Sequence, residues 1–289
     1  MDTTQRVRKK FKRDGFVIVR DVLDKQTVEE GRQLAERIRK HNHEVDLENP
    51  NSIGDAQAVR HPFLADLVSD ERILELVGAI LDDIVHLQST YFIKKPQSDN
   101  RTLWHQDGAY WTQFINPLQV ISVWAAFDRT TPENGCMKFI PGSHKEGYLE
   151  HDISGVVSDG DKDDDEEVNL EEAGYDESDA VDIELKPGDI SIHRPSILHA
   201  SYRNTTDRWR RAYAIRYTST SVNMLRPGQE GQKGAFLLRG EPSDPQQYRK
   251  LPLYDPDDDS QMHFTGWEAY NERARTLNDS LSPDNLMDV

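Results

Sequence analysis

The stretch TLWHQDGAYW, residues 102–111, places a histidine and an aspartate one residue apart among aromatic side chains. On a β-strand, His105 and Asp107 would point to the same face, because successive side chains alternate between the two faces. Both side chains could then reach one metal ion. A His-x-Asp pair is also common by chance, so a hydrogen-bonded pair on a strand edge is the competing interpretation until a third ligand is found.

His199 has the best sequence context for a third ligand. It ends a β-rich segment that starts at the turn KPGD, and a cluster of arginines follows it. Two histidines and one carboxylate form the facial triad of non-heme Fe(II), which leaves positions open for a chelating cosubstrate and for oxygen. A hydrolytic zinc site can use the same ligands, but it does not need a buried arginine nearby, so we favour iron.

Composition and charge limit the classes of function. The chain has 289 residues, 36% of them hydrophobic, and Cys136 is its one cysteine, so it can bury a core but cannot form an intrachain disulfide. The sequence shows no leader-like apolar region and no apolar run near the ~20 residues of a membrane span, so we expect a cytoplasmic protein without a membrane partner. An acidic chain without a basic stripe is a poor partner for nucleic acid, which leaves a small-molecule substrate as the expectation.

The acidic charge is concentrated in one segment. Of the formal net charge of −17, residues 159–184 carry −13, which leaves −4 for the rest of the chain. Alternating aspartates resemble a calcium loop, but its sixth position is Asp164 where glycine is needed, and its twelfth is Leu170 where glutamate is needed. Like charges in a block repel one another, so we expect an acidic, mobile insertion over about residues 155–182.

Helical patterns come before β-rich patterns along the chain. A short strand is predicted over Gly15–Leu23, and a helix that begins with Thr27 and Glu30 in capping-box spacing follows it. A second, amphipathic helix begins near Ser69. From Ile84 onward, β-rich segments alternate with turns such as PENG and PGSH.

This order predicts a mainly β protein with flanking helices. We expect a double-stranded β-helix, that is, a cupin-like jelly-roll barrel, with an N-terminal helical layer packed on one sheet. The barrel core is expected over about residues 84–220, and residues 221–289 are expected to cover it, with one helix near 267–277. The whole chain, residues 1–289, is interpreted as a single domain.

Three segments together resemble the phytanoyl-CoA dioxygenase family of Fe(II)/2-oxoglutarate oxygenases. They are WHQDGAYW, VWAAFDRTTPENGCMKFIPGSHKEG and PGDISIHRPSILHASYRNTTDRWRRA, and they occur in the family's order and spacing. The resemblance covers about Gly15 to Thr218. It implies Fe(II) as cofactor and 2-oxoglutarate and O2 as cosubstrates.

The resemblance also implies roles for particular residues. Iron would be held by His105, Asp107 and His199, and no other residue is assigned a catalytic role. The distal carboxylate of 2-oxoglutarate would pair with Arg210, since a planar guanidinium grips a carboxylate with two hydrogen bonds. Further positions that would line the cosubstrate are Ser201, Gln88 and Trp124, although Trp124 is equally explained as barrel core.

The remaining pocket is less specific. Possible substrate-pocket residues are Tyr91, Arg101, Tyr110, Trp111 and His193. His193 is also the one serious rival ligand, but it would lie seventeen residues from Arg210 instead of eleven, so we place it in the pocket wall. Arg211 is expected to face the opposite side, and Arg216 is expected to serve as a control for Arg210 in cosubstrate binding.

The implied reaction is hydroxylation of an unactivated C–H bond of a small metabolite, with release of succinate and CO2. The alternatives are a hydrolase or isomerase that uses the triad for another metal, and a silent barrel that binds a ligand. Halogenation is disfavoured because Asp107 is present. A long acyl-CoA is also disfavoured as substrate, because its phosphates call for clustered basic residues; the rings around HQD suit a neutral or cationic, partly apolar molecule.

Overall fold

The structure, a computed structural model, describes residues 2–41, 62–99, 101–111, 115–116, 118–151, 168–224 and 236–242. The α-helices within these residues are α1 (Thr3–Asp14), α2 (Lys25–His41), α3 (Pro62–Val68) and α4 (Glu71–Gly78). The strands are β1 (Phe16–Val19), β2 (Ile84–Lys94), β3 (Thr102–His105), β4 (Ile115–Asn116), β5 (Val120–Ala126), β6 (Met137–Phe139), β7 (Val181–Asp182), β8 (Ile190–His193), β9 (His199–Ser201), β10 (Arg210–Thr218), β11 (Asn223–Met224) and β12 (Phe236–Arg239). None of the described helices has the length and apolar character that crossing a bilayer requires.

Two antiparallel sheets form the barrel. The larger sheet has the strand order β1-β8-β5-β10-β2-β12, and the smaller one has the order β3-β9-β6-β7. In the larger sheet, β10 pairs with β5 on one side and β2 on the other. Strands far apart in sequence are neighbours in both sheets, as in a jelly roll. The predicted fold, a mainly β jelly roll with flanking helices, is confirmed.

The two faces of the larger sheet have different roles. Its outer face packs against the helices in a cluster that includes Phe11 of α1, Leu34 of α2 and Tyr213 of β10. Its inner face meets the smaller sheet through a second cluster that includes Trp124 and Phe139. The helices thus close one side of the sheet, and the space between the sheets is left for the site.

Helix starts follow capping chemistry, in one case at a different residue from that expected. Helix α2 begins at Lys25, and the carboxylate of Asp24 accepts a hydrogen bond from the backbone N–H of Thr27 at 2.8 Å. The cap is therefore Asp24 and not Thr27, because a carboxylate at the earlier position reaches the same free N–H groups. Helix α4 begins after Asp70, which caps Arg72 N–H.

The acidic segment is described only in its second half. There, Val168 is buried and its N–H donates to the carbonyl of Trp104 at 2.7 Å. Leu170 and Tyr175 pack against the same small cluster around Trp104. Residues 168–182 thus form part of the packed barrel. Residues 152–167, and the helix expected near 267–277, lie outside the described residues.

Candidate metal centre and cosubstrate pocket

The three expected metal ligands come together between the sheets. His105 and His199 are direct cross-strand partners in β3 and β9, and their ring centroids are 4.0 Å apart. Asp107 Oδ1 lies 3.6 Å from His105 Nε2 and 3.8 Å from His199 Nε2. One ligand atom from each residue falls within 4.8 Å of the others, so one ion can contact all three.

Asp107 reaches this position from a turn and not from a strand. Strand β3 ends at His105, and a 3-10 turn covers Asp107–Tyr110. Between the ligands, Gln106 is fully buried, and its amide bonds the carbonyls of Gly147 and Ser196 and the N–H of Leu149. The residue between the two ligands thus ties the turn to its surrounding loops and fixes the Asp107 carboxylate beside the histidines.

Gly108 follows the aspartate directly and leaves room for Tyr148. A Cβ at this position would lie 2.3 Å from the hydroxyl of Tyr148, so the tyrosine ring would have to move. The N–H of Gly108 also donates to the carbonyl of Pro195 at 2.9 Å. The glycine in HQDG therefore lets the turn pack closely against Tyr148 and the loop before β9.

Backbone carbonyls set the tautomer of both histidines. His105 Nδ1 lies 2.8 Å from the carbonyl of Leu103, and His199 Nδ1 lies 3.0 Å from that of Ile197. A carbonyl can only accept, so each Nδ1 carries the proton and each Nε2 keeps a lone pair that can bind a metal ion. Such a bond to the second ring nitrogen is the usual support of a metal-binding histidine.

Burial and charge keep the ligands in their metal-binding forms. Burial lowers the pKa of His199 to about 3, so its imidazole is neutral at physiological pH. Burial alone would raise the pKa of Asp107, but the neighbouring His105, His199 and Arg216 outweigh it and hold that pKa well below its usual range. A neutral imidazole and an ionised carboxylate are the states that bind a divalent cation.

Arg210 lies at the start of β10, on the face of the larger sheet that meets the smaller sheet. Its side chain is almost fully buried, its guanidinium lies 5.5 Å from the ring centroid of Trp124, and its Nε has no hydrogen-bond partner among the described residues. Burial lowers the pKa of Arg210 to about 10, which still leaves it charged near neutral pH. A buried guanidinium with an unused donor is suited to an anionic ligand.

Ser201 is linked to a buried lysine that the sequence analysis did not single out. Lys94, 1% exposed and the cross-strand partner of Arg210, donates to Ser201 Oγ at 2.8 Å and to the carbonyl of Tyr202. The Ser201 hydroxyl also contacts Thr102 Oγ1 at 2.9 Å. Lys94 thus adds a second cation at the Arg210 end of the pocket, and it orients the hydroxyl that was expected to bind the cosubstrate.

Arg216 was expected to be a control position for Arg210, but it lies next to the metal site. It is 6% exposed and lies inside the barrel, where its Nη2 is 3.7 Å from Asp107 Oδ2. The signal was available, because Arg210 and Arg216 are six residues apart on one strand and an even spacing puts them on the same face. Arg216 is therefore unsuitable as a control for Arg210.

The weaker pocket predictions have mixed outcomes. His193 lies beside the triad, with its ring centroid 5.7 Å from that of His199, and Trp111 lies 5.7 Å from the Arg216 guanidinium. The prediction for Tyr91 is wrong, because its side chain faces the helices and its ring packs on Tyr213 at 4.7 Å. Tyr91 and Lys94 are three residues apart on β2, so their side chains point to opposite faces of the sheet. Arg101 is exposed before β3, and the structure does not bring it to the triad.

Two of the expected residues are placed by their backbones alone. Gln88 pairs with Arg216 across β2 and β10, and Tyr110 ends the turn that begins at Asp107. Their side chains lie outside the described part of the structure. Their roles in cosubstrate and substrate binding stay predictions.

Comparison with known proteins agrees with this geometry. A phytanoyl-CoA dioxygenase of Arabidopsis thaliana is 27% identical over 168 residues, which are 57% of this chain and 56% of the relative. The chain thus spans about half the length of the relatives that it matches.

Solved structures extend the likeness to nearly the whole chain. A non-heme monooxygenase, ThoJ, has a TM-score of 0.73 and 25% identity, with 95% of this chain and 98% of that chain covered. A non-heme alpha-ketoglutarate-dependent carbocyclase, SnoK, from nogalamycin biosynthesis has a TM-score of 0.62 and 22% identity, with 80% and 89% covered, and shares the fold.

The match to a known family is broader than any of the single motifs. Residues 11–212 match the family described as phytanoyl-CoA dioxygenase (PhyH). This range includes all three ligands, Arg210 and most of both sheets. The chain therefore belongs to the phytanoyl-CoA dioxygenase family, whose cofactors are iron and 2-oxoglutarate.

Proposed function

We propose that this chain is an Fe(II)- and 2-oxoglutarate-dependent dioxygenase that hydroxylates an unactivated C–H bond of a small molecule, with release of succinate and CO2. The observation that carries the proposal is the His105–Asp107–His199 triad together with a buried Arg210 on the inner face of β10, whose Nε has no hydrogen-bond partner among the described residues. A hydrolytic metal site has no need of such an arginine, whereas a chelating keto acid with a distal carboxylate needs one.

The residues present fit this cofactor set. Two imidazole nitrogens and one carboxylate oxygen converge on one point, and three protein ligands leave positions free on a six-coordinate ion. When bound, Fe(II) with 2-oxoglutarate supplies an oxidant derived from O2 that is strong enough to attack a C–H bond.

The protein side of the reaction is positioning and exclusion of water. The histidines hold the ion through Nε2 while their Nδ1 atoms stay on backbone carbonyls, which fixes the rings. Arg210 orients the cosubstrate through its distal carboxylate, and Trp124 covers the guanidinium from one side. The apolar inner cluster of the barrel keeps water away from the reacting bond.

The test is a binding and turnover experiment in two stages. Fe(II) and 2-oxoglutarate are first titrated into the protein without oxygen and followed by the visible absorbance of the chelate. Oxygen is then admitted with a metabolite library, and succinate and organic products are measured together. Hydroxylated product formed in equal amount to succinate supports the proposal. A cyclised or epimerised product would contradict hydroxylation but would still support an Fe(II)- and 2-oxoglutarate-dependent enzyme. No chelate and no succinate would overturn it.

A further inference from the structure

Arg216 is buried next to the metal site, but the residues of that site do not accept hydrogen bonds from all of its donors. Its Nε and Nη1 are buried and have no hydrogen-bond partner among the described residues. Its nearest carboxylate, Asp107, lies at 3.7 Å, which is too long for a hydrogen bond. Buried polar groups nearly always have partners, so the two unused donors of this buried guanidinium are suited to an anionic ligand.

The guanidinium is held in place by aromatic rings. Its Cζ lies 5.6 Å from the ring centroid of Phe92 and 5.7 Å from that of Trp111. The strand that carries it is paired on both sides, with Gln88 and Ser122 as its register partners. Arg216 therefore has little freedom to swing out to solvent and presents its donors to the barrel interior.

The cosubstrate does not use all the donors of both interior arginines. The distal carboxylate of 2-oxoglutarate can pair with Arg210 or Arg216 but not with both. The other carboxylate chelates the metal through one oxygen, so it offers Arg216 one free oxygen, whereas both Nε and Nη1 of Arg216 are unused. The two residues enter from positions six residues apart, roughly 20 Å along a strand. With Arg210 assigned to the cosubstrate, Arg216 remains for another ligand.

Charge balance indicates the sign of that ligand. Fe(II) and Arg210 bring three positive charges, and the cosubstrate and Asp107 bring three negative charges, so the site is neutral before Arg216 is counted. Arg216 adds one positive charge, and buried Lys94 lies at the other end of the same interior. A low-dielectric cavity with surplus positive charge favours an anion.

We propose that Arg216 binds a carboxylate of the organic substrate, on the side of the metal away from Arg210. The inference rests on the proposed function for the identity of the reaction, but the anion site itself does not. It also replaces the expectation of a neutral or cationic substrate, since the Arg216 guanidinium already lies 5.7 Å from the ring of Trp111, one of the rings around HQD on which that expectation rested.

The experiment compares charged and neutral probes of the same shape. Aromatic and medium-chain monocarboxylates, such as phenylacetate and octanoate, and their primary amides are titrated into the anaerobic complex with Fe(II) and 2-oxoglutarate. Dissociation constants are read from the change in chelate absorbance and by calorimetry. We expect at least one carboxylate to bind about tenfold or more tightly than its amide, because charge-assisted hydrogen bonds are about twice as strong as neutral ones.

Two variants separate this anion site from other roles. Arg216→Gln should remove the preference for carboxylate over amide, while Arg211→Gln, on the opposite face of the same strand, should keep it. A wild-type protein without the preference, or an Arg216→Gln protein that retains it, would overturn the inference. If Arg216→Gln instead lowers Fe(II) affinity and keeps the preference, Arg216 only orients Asp107 and the inference is equally wrong.

The metal-free protein distinguishes failure of this inference from failure of the proposed function. Calorimetry with the same probes needs neither iron nor turnover. If the protein forms no chelate with Fe(II) and 2-oxoglutarate but shows a carboxylate preference that depends on Arg216, the anion site is supported and the oxygenase assignment is wrong. A normal chelate without any carboxylate preference would do the reverse.

Discussion

The two faces of β10 carry arginines in opposite situations. On the outer face, Arg211 makes hydrogen bonds to both carboxylate oxygens of Asp128, at 2.7 and 3.2 Å, and one to Glu36 at 3.3 Å. On the inner face, Arg210 and Arg216 keep buried nitrogens without partners among the described residues. One strand thus holds an arginine that is paired with carboxylates of the protein and two arginines that keep unused donors among the described residues.

The difference shows how a structural charge can be told from a binding charge. Taking a guanidinium out of water is costly, and a protein normally offsets that with its own carboxylates, as it does at Arg211. On the inner face the described residues leave this offset incomplete, and this observation underlies the roles proposed for Arg210 and Arg216 in binding anions. The two faces therefore carry different predictions. Substitutions on the inner face should change the affinity for metal and cosubstrate, and substitutions on the outer face should change the free energy of unfolding.

The largest effect is expected from Asp107→Ala on the inner face. It removes the one anionic metal ligand, so Fe(II) affinity should fall by about a hundredfold or more and succinate release should stop. Calorimetry with Fe(II) under anaerobic conditions measures the loss. Asp99→Ala, whose side chain is almost fully exposed, is the control and should bind Fe(II) normally. Unchanged iron binding in Asp107→Ala would show that the triad is assigned incorrectly.

The next largest effect should distinguish Arg210 on the inner face from its neighbour Arg211 on the outer face. Arg210→Gln should weaken 2-oxoglutarate binding at least about tenfold and leave Fe(II) bound, because charge-assisted hydrogen bonds contribute about 1.5–3 kcal/mol each. Arg211→Gln should lower the free energy of unfolding, since it breaks the contacts to Asp128 and Glu36, but leave cosubstrate affinity unchanged. The comparison fails if both variants lose cosubstrate affinity equally, or if only Arg211→Gln does.

Much of this arrangement follows from residue types and periodicity alone. The triad and Arg210 could be predicted because metal ligands and their spacing are chemically restrictive, and the opposite directions of Arg210 and Arg211 follow from strand alternation. Tyr91 was assigned to the wrong face because nothing local tells which face of β2 meets the helices. That distinction depends on its cross-strand neighbour Tyr213, a contact between residues far apart in sequence.

Lys94 and Arg216 were missed for a related reason. Each lies in a β-rich segment where a charged residue is normally assumed to face water. Their burial results from the pairing of β10 between β2 and β5, which encloses both side chains between the sheets. Helix α1 was not predicted either, because it has only Val7 and Phe11 as buried apolar residues in a basic stretch.

A smaller effect, on the free energy of unfolding, is expected from Tyr217 on the outer face of β10. The hydroxyl of Tyr217 is buried and donates to the carbonyl of Val68 at 2.9 Å, which joins the strand to α3. Tyr217→Phe should lower the free energy of unfolding by about 1 kcal/mol, with 2-oxoglutarate affinity unchanged. Urea unfolding measures the difference. Tyr175→Phe is the matched control, because the Tyr175 hydroxyl is buried with no partner among the described residues and its loss should be nearly neutral.

The smallest effect is expected from the acidic segment, in the part with the most charge. Replacing residues 158–166 by a short Gly/Ser linker should change the free energy of unfolding by less than about 1 kcal/mol, because loop-closure entropy varies slowly with loop length. Iron and cosubstrate binding should persist. Urea unfolding and the anaerobic chelate titration measure both quantities on the same sample.

Deleting residues 168–176 should have the opposite result, although this stretch is also acidic. Val168 is buried beside Leu198 and its N–H bonds the carbonyl of Trp104, so the segment packs on the residues that immediately precede His105 and His199. Its loss should cost several kcal/mol of stability by exposing that cluster, and should weaken Fe(II) binding because both ligands lose their support. If both deletions leave stability and Fe(II) binding unchanged, then the packing of residues 168–176 does not hold His105 and His199 in position. If the first deletion unfolds the protein, the charged stretch is structural and not a solvated insertion.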